Sequence, residues 1–176
     1  MVKMSVLFGA AAALAIAPVS VAGAAVLGPD SAKCGSGSGP AVLVKVSGLK
    51  SRVGKLRVRT FSGAKPSAWF NKKMALKRVE VDIPDGGPIE ICMPVPSAGG
   101  YVVDLRHDLN NNGDTDKSDG AGASGNPTIS MFDFFLGRKP PASKVVVQVG
   151  EGVVAISVVM KYVQGGSFKP AQVSAR

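Results

Sequence analysis

The chain has 176 residues, of which 45% are hydrophobic, and it carries a formal net charge of +9 at pH 7. This length is enough for one domain with its own hydrophobic core. The single histidine excludes a multi-histidine metal centre, and the two cysteines do not form a CxxC pair. The positive charge fits either a soluble surface with no dedicated partner or, for an exported protein, an anionic partner such as glycan, lipid headgroups or lipopolysaccharide, and not nucleic acid.

The first 24 residues have the pattern of a cleaved signal peptide. Lys3 is followed by an uncharged, alanine-rich apolar run over residues 6–19, which is short for a membrane span, and residues 22–24 (Ala-Gly-Ala) fit a signal peptidase site. A buried apolar helix is the alternative for this segment. We therefore predict export to the periplasm or the cell exterior, with cleavage after Ala24 and no membrane span.

Short strand-like runs separated by Gly- and Pro-containing turns follow the predicted leader. Residues 25–40 are predicted to be a flexible lead-in, residues 41–165 the folded domain and residues 166–176 a C-terminal tail. The predicted strands are residues 41–47, 55–61, 77–83, 88–95, 101–107, 144–149 and 153–163. This spacing predicts an all-β fold, a single antiparallel β-sandwich of about seven strands of the immunoglobulin or transthyretin type.

Basic and apolar side chains alternate in the strand over residues 55–61. Leu56 and Val58 are predicted to face the core, while Lys55, Arg57 and Arg59 face solvent. This basic strand face is one candidate surface for an anionic envelope component.

Cys34 and Cys92 are the two cysteines of a chain predicted to enter an oxidising compartment. Neither has a partner at zinc-site or redox-motif spacing. We therefore predict that they form a disulfide that ties the lead-in to the strand over residues 88–95.

The segment 108–119 has the spacing of a calcium-binding loop. Side-chain oxygens stand at loop positions 1, 3, 5, 9 and 12, and glycine at position 6 permits the sharp bend that directs the next carbonyl inward. The predicted ligands are Asp108, Asn110, Asn112, Asp114 through its carbonyl, Asp116 and Asp119. Calcium is thus the predicted cofactor, with no organic cofactor, and an Asn/Asp-rich turn that satisfies its own backbone is the alternative.

Glycines follow this loop in a GxGxxG pattern at Gly120, Gly122 and Gly125. A dinucleotide site needs a strand before the pattern and a helix after it, and Asn126-Pro127 blocks such a helix. We expect these glycines to let the loop fold back.

A stretch of the chain resembles a known family. Residues 101–103 (Tyr-Val-Val), the pattern His-Asp-x-Asn-x-Asn-Gly-x-x-Asp over residues 107–116 and a Pro-Pro pair at 140–141 are similar to the bacterial family called domain of unknown function 2141. The similarity extends from about Ala41 to Val163. The resemblance implies an exported β-sandwich and brings no established activity.

His107 is the only residue that could act as a histidine base. Asp104 stands three residues earlier, which places the two side chains on opposite faces of one strand. A strand-end histidine bonded to the loop backbone is one interpretation, and a surface-binding residue or the base of a hydrolase that also uses the loop aspartates is another.

Aromatic residues cluster at Trp69, Phe70 and the run 131–135. They are either plugs of the core or a platform for sugar or lipid.

These patterns together predict a monomeric, exported and non-catalytic binding or structural module that presents a calcium-type loop. The two alternatives are the hydrolase based on His107 and an envelope-adhesion module that uses Lys55, Arg57 and Arg59.

Overall fold

A computed structural model describes residues 25–35, 39–128, 130, 132–133 and 136–171. The predicted signal peptide and the last five residues lie outside the described residues, as do three residues of the run 131–135. The strands are β1 (Val26–Leu27), β2 (Ala41–Ser47), β3 (Lys55–Ser62), β4 (Lys77–Asp82), β5 (Ile89–Pro94), β6 (Gly99–Asp108), β7 (Gly120–Ala123), β8 (Val147–Val149), β9 (Val153–Val159), β10 (Lys161–Gln164) and β11 (Ser167–Pro170). The described helices are short: α1 (Ser31–Gly35), α2 (Ala142–Val145) and a 3-10 turn (Pro66–Ala68).

The strands form two sheets, which confirms the all-β prediction. One sheet has the order β1-β5-β2-β9, and the other has the order β11-β10-β7-β6-β3-β4, with β8 also paired to β6. The described pairs of the second sheet are antiparallel. The first sheet is mixed, because β1 runs parallel to β5 and β2 runs parallel to β9. It therefore differs from the purely antiparallel expectation.

Alternation of side chains along β3 places the core between the sheets. Leu56 and Val58 are fully buried in the main hydrophobic cluster, together with Val42 and Val44 of β2 and Ile91 of β5. Successive side chains of a strand point to opposite faces. The predicted inward face of β3 is therefore confirmed, whereas the side chains of Arg57 and Arg59 on the other face are only 12% and 17% exposed and do not face open solvent as we expected.

The predicted strand over residues 153–163 is two strands that lie in different sheets. β9 pairs with β2 of the first sheet, and β10 pairs with β7 and β11 of the second. The change occurs at Met160, whose side chain is fully buried and whose backbone N–H donates to the Ser47 carbonyl at 2.8 Å. The chain thus closes one edge of the core by crossing between the layers.

Regular structure begins before Ala41, where we expected only a flexible lead-in. β1 and α1 lie against β5, and Cys34 of α1 is bonded to Cys92 of β5. The predicted disulfide is therefore present, with a sequence separation of 58 residues. In the chain-entropy model a loop of this length stabilises the fold by about 4 kcal/mol.

A second, smaller cluster covers the outer face of the seven-stranded sheet. Trp69 follows the 3-10 turn and packs with Phe61, Val102 and Val145, all of them buried. Its indole N–H donates to the Ser62 carbonyl at 2.8 Å. Trp69 therefore fills a core, which agrees with the first of the two interpretations given for the aromatic residues.

In the described part of the chain, no helix is long and apolar enough to cross a membrane.

Candidate functional site

The Asp/Asn loop, residues 108–119, connects β6 to β7 at one end of the sandwich. Asp108 ends β6 directly opposite Lys55, whereas the Trp69 cluster lies at the other end, where Tyr101 is opposite Ser62. The loop is exposed over residues 110–117, while its first and last carboxylates, Asp108 and Asp119, are buried.

The buried Asp108 carboxylate organises the first half of the loop. Its Oδ1 accepts from the backbone N–H of Asn112 at 3.2 Å, and its Oδ2 accepts from that of Gly113 at 2.9 Å. Such bonds satisfy donors that the tight bend leaves without a secondary-structure partner. Asp119 acts in the same way at the other end, since it accepts from the amides of Leu109 at 3.2 Å and Asp116 at 3.3 Å.

Arg106 supplies the positive charge for these two buried carboxylates. Its Nη2 donates to Asp108 at 3.1 Å, and its Nε lies 3.8 Å from Oδ2 of Asp119. The guanidinium also donates to the Thr115 hydroxyl. Buried carboxylates require such compensation. Arg106 therefore occupies the electrostatic role that an internal cation would otherwise have.

Three predicted ligands do converge on the exposed side of the loop. The side-chain amides of Asn110 and Asn112 donate to the same oxygen, Oδ2 of Asp116, at 2.8 and 3.3 Å. The Ser118 hydroxyl and amide donate to Oδ1 of Asp116 at 2.5 and 2.7 Å. The Ser118 hydroxyl bond and the other bonds lower the pKa of Asp116 to about 2, so this carboxylate is ionised at neutral pH.

The fit of calcium to the loop is therefore partial. The amide nitrogens of Asn110 and Asn112, and not their oxygens, point at Asp116. Turning both amides so that their oxygens faced a cation would break the bonds that these oxygens accept from the backbone N–H groups of Asn112 and Asp114. Asp108 and Asp119 instead face Arg106 and the backbone amides. Among the described residues, no group of three or more His, Cys, Asp or Glu side chains is arranged to hold a metal ion.

His107 is fully buried, so the expectation that it belongs to a binding surface is wrong. Its Nε2 lies 2.7 Å from the Val53 carbonyl, and its Nδ1 lies 2.6 Å from the Tyr162 hydroxyl. Because a carbonyl only accepts, Nε2 is assigned the proton and Nδ1 accepts from Tyr162. The tyrosine oxygen also accepts from the Lys50 N–H at 3.0 Å. This bonding matches the strand-end histidine that was one of the predicted alternatives.

The chain folds back after the loop, and the glycine-rich segment there forms the strand β7, antiparallel to β6. Gly120 pairs with His107 on one side and with Tyr162 on the other. A Cβ atom at Gly120 would lie 2.6 Å from the Tyr162 ring, and one at Gly122 would lie 2.7 Å from Val158. These glycines are therefore required by the close approach of neighbouring side chains.

The basic strand face is already paired with carboxylates. Lys55 lies 3.8 Å from Asp82, Arg57 lies 2.5 Å from Glu80, and Arg59 binds Asp104 through two nitrogens at 2.8 and 2.5 Å. Burial raises the pKa of Asp104, and the adjacent Arg59 opposes that rise. The arrangement leaves little unpaired positive charge on this face for an external anion.

Sequence reasoning missed Arg106 and Tyr162, and it did not place Gly120 in a strand beside Tyr162. The pairing of Arg106 with Asp108 could have been predicted, because residues two apart on a strand share a face and Arg106 stands two residues before Asp108. Tyr162 carried none, because it lies 55 residues from His107.

The chain is thus a β protein of two sheets whose Asp/Asn loop is held by contacts of Arg106 with Asp108 and Asp119. A family model described as an uncharacterized protein conserved in bacteria (DUF2141) matches residues 44–157. The chain belongs to this family. No curated protein and no solved structure matches it significantly.

Proposed function

We propose that the protein is an exported, non-catalytic binding or structural module whose Asp/Asn loop takes up calcium weakly. The observation that carries the calcium part is the convergence of Asn110, Asn112 and Asp116 on one exposed point. Carboxylate and amide oxygens are the ligands that calcium prefers. The disulfide between Cys34 and Cys92 is consistent with export.

Weak affinity follows from the competing bonds in the loop. Calcium must replace the contacts that Asp116 accepts, and Arg106 already compensates Asp108 and Asp119. We expect a dissociation constant of about 10⁻⁵–10⁻³ M, between the weakest sensor sites and the extracellular modules.

A non-catalytic role is supported by the bonding of His107. A general base needs a free nitrogen within reach of substrate. Both ring nitrogens of His107 are bonded inside the protein, and the side chain is buried. The alternative hydrolase would have to open the contact with Val53 or with Tyr162.

Calorimetric titration with calcium and magnesium, combined with thermal melts, tests the proposal. Binding to the folded state raises its stability by about 2.7 kcal/mol at a hundredfold excess over the dissociation constant. Asp116→Asn should abolish the rise in melting temperature, while Asp85→Asn, a change in an exposed turn elsewhere, should preserve it. A melting curve that millimolar calcium leaves unmoved would remove calcium from the proposal.

A further inference from the structure

The strand β9 lies at one edge of the four-stranded sheet. It pairs with β2 along its whole length, and no other described strand pairs with its outer side. A strand that ends a sheet presents a row of backbone N–H and C=O groups with which another chain can form hydrogen bonds. The outer side of β9 is therefore a candidate docking edge.

The register between β9 and β2 shows which backbone groups of β9 face outward. The N–H of Ala41 donates to the Gly152 carbonyl at 3.3 Å, and the N–H of Met160 donates to the Ser47 carbonyl at 2.8 Å. Because the bonding direction alternates along a strand, the even-numbered residues of β9 direct their backbone groups towards β2. The odd-numbered residues of β9 direct theirs outward.

The side chain of Asn126 occupies the last part of this outer edge. Its Nδ2 donates to the Ser157 carbonyl at 3.0 Å, and its Oδ1 accepts from the Val159 N–H at 2.7 Å. One amide group thus takes the place of a neighbouring strand at this point. The outward N–H and C=O groups of Val153 and Ala155 bond to no other described residue.

The features that protect the other sheet edges do not occur in β9. At the edges of the seven-stranded sheet, β4 has four charged residues in six, and β11 contains Lys169 and Pro170. The edge strand β1 is only two residues long. By contrast, β9 has seven residues, none of which is charged, glycine or proline. Charges, prolines and short length are the usual means by which an edge avoids pairing with another chain.

We propose that β9 pairs antiparallel with β9 of a second copy of this chain, across a two-fold axis beside Val154. The unbonded groups define this register, because it places Val153 of each copy opposite Ala155 of the partner subunit. Their N–H and C=O groups then form four backbone hydrogen bonds. The bonds of Asn126 remain in place. The resulting weak dimer differs from the monomer expected from the sequence.

This edge is complementary to itself in both charge and shape. Residues 151–157 of one copy lie opposite residues 157–151 of the other, and Glu151, the one charged residue among them, is opposite Ser157. The pairing therefore opposes no like charges, in a chain whose net charge is +9. Val154 and Ile156 point to the same side of β9 as the buried Val158, yet each is only half-buried. Contact of Val154 with Val154 of the partner subunit would cover part of this apolar surface.

Analytical ultracentrifugation of the protein isolated from an expressing bacterium tests the association. We expect a monomer in dilute solution and a dimer as the concentration approaches about 1 mM, since one pair of strands buries less area than a stable dimer interface does. Ala155→Lys should abolish the dimer, because it places a charge beside the two-fold axis. Ala64→Lys is the matched control, since Ala64 is also exposed and lies outside β9, and this variant should still form the dimer.

Cysteine cross-linking tests the register. Across the axis, the two copies of Val154 form a pair without mutual backbone bonds, in which the Cα atoms are about 4.5 Å apart, within the range of a disulfide. Val154→Cys should therefore give a covalent dimer under mild oxidation. Ser157→Cys should not, because its two copies are roughly 20 Å apart along the strands. The native Cys34 and Cys92 are already bonded to each other.

A protein that stays monomeric at the highest concentration would overturn the proposal. If that monomer binds a labelled peptide of alternating valine and threonine, the edge belongs to an extended segment of another protein. If instead its Val153 and Ala155 amides resist hydrogen exchange, other residues of the same chain cover the edge. Equal dimerisation of Ala155→Lys and Ala64→Lys, or equal cross-linking of Val154→Cys and Ser157→Cys, would place the contact elsewhere. Unchanged melting temperatures verify that each variant is folded.

Discussion

The hydroxyl group of Tyr162 reaches over Gly120 to lie 2.6 Å from Nδ1 of His107. His107, Gly120 and Tyr162 stand side by side on β6, β7 and β10, and the missing side chain of Gly120 leaves room for the tyrosine ring. Through His107 and Tyr162, the residues Val53 and Lys50 are also held to the sheet. This contact fixes the connection between β2 and β3 beside the Asp/Asn loop.

Removal of the Tyr162 hydroxyl should therefore destabilise the protein. Tyr162→Phe leaves Nδ1 of His107 without its donor and the Lys50 amide without its acceptor, at a cost of about 1–3 kcal/mol. Urea unfolding measures the change. Tyr101→Phe is the control, because that hydroxyl has a single bond to the Ser97 carbonyl, in an exposed turn that water can reach. An equal loss in both variants would show that the His107 contact adds nothing.

Gly120→Ala should destabilise the protein by forcing the Tyr162 ring away. The added Cβ would lie 2.6 Å from the ring, well inside contact distance, and overpacking of this kind costs about 1–3 kcal/mol. Gly86→Ala is the control, since a Cβ there would meet no atom within 4 Å. Thermal melts of the two variants give the comparison. A Gly120→Ala protein as stable as Gly86→Ala would contradict the packing of Tyr162 on β7.

The buried pair of Arg59 and Asp104 should show strong coupling. Arg59→Met leaves a buried carboxylate without its partner, which costs about 3–5 kcal/mol. Adding Asp104→Leu removes that charge and should restore most of the lost stability. A double-mutant cycle measured by urea unfolding gives the coupling free energy, and additive effects of the two changes would argue against a direct pair.

The contribution of Asp116 to stability should disappear in acid. Its folded pKa of about 2 lies below the ordinary aspartate value of 3.8, so the stabilisation is complete above pH 3.8 and falls as pH drops towards 2. Melting temperatures between neutral pH and pH 2 should therefore show wild type and Asp116→Asn drawing together as acid is added. Asp85→Asn controls for the loss of an exposed carboxylate. A constant gap between wild type and Asp116→Asn would mean that the Ser118 contacts do not depend on charge.

Several features were predictable because they depend on local pattern. Alternation along β3 predicted which side chains are buried, since successive strand residues point to opposite faces. The Asn/Asp pattern predicted a tight loop after His107, and the two cysteines of a predicted secreted chain predicted the bond between Cys34 and Cys92.

Other features were not predictable because they depend on partners far away in the chain. The sequence pattern of the β7 glycines suggested a loop, because no residue close to them in the sequence indicates that Tyr162 and Val158 pack against them. The crossing between sheets at Met160 leaves the strand pattern unbroken, because apolar residues suit both layers.

The sequence by itself determined the all-β class, the faces of β3, the disulfide partners and the place of the Asp/Asn loop. Only the tertiary structure decided what the polar groups around that loop do. It buried His107 against Tyr162, set Arg106 between Asp108 and Asp119, and paired Arg57 and Arg59 with carboxylates. The physical reason is that local periodicity fixes the side of a strand on which a residue lies. Its charge partner and hydrogen-bond partner are fixed by which strands become neighbours.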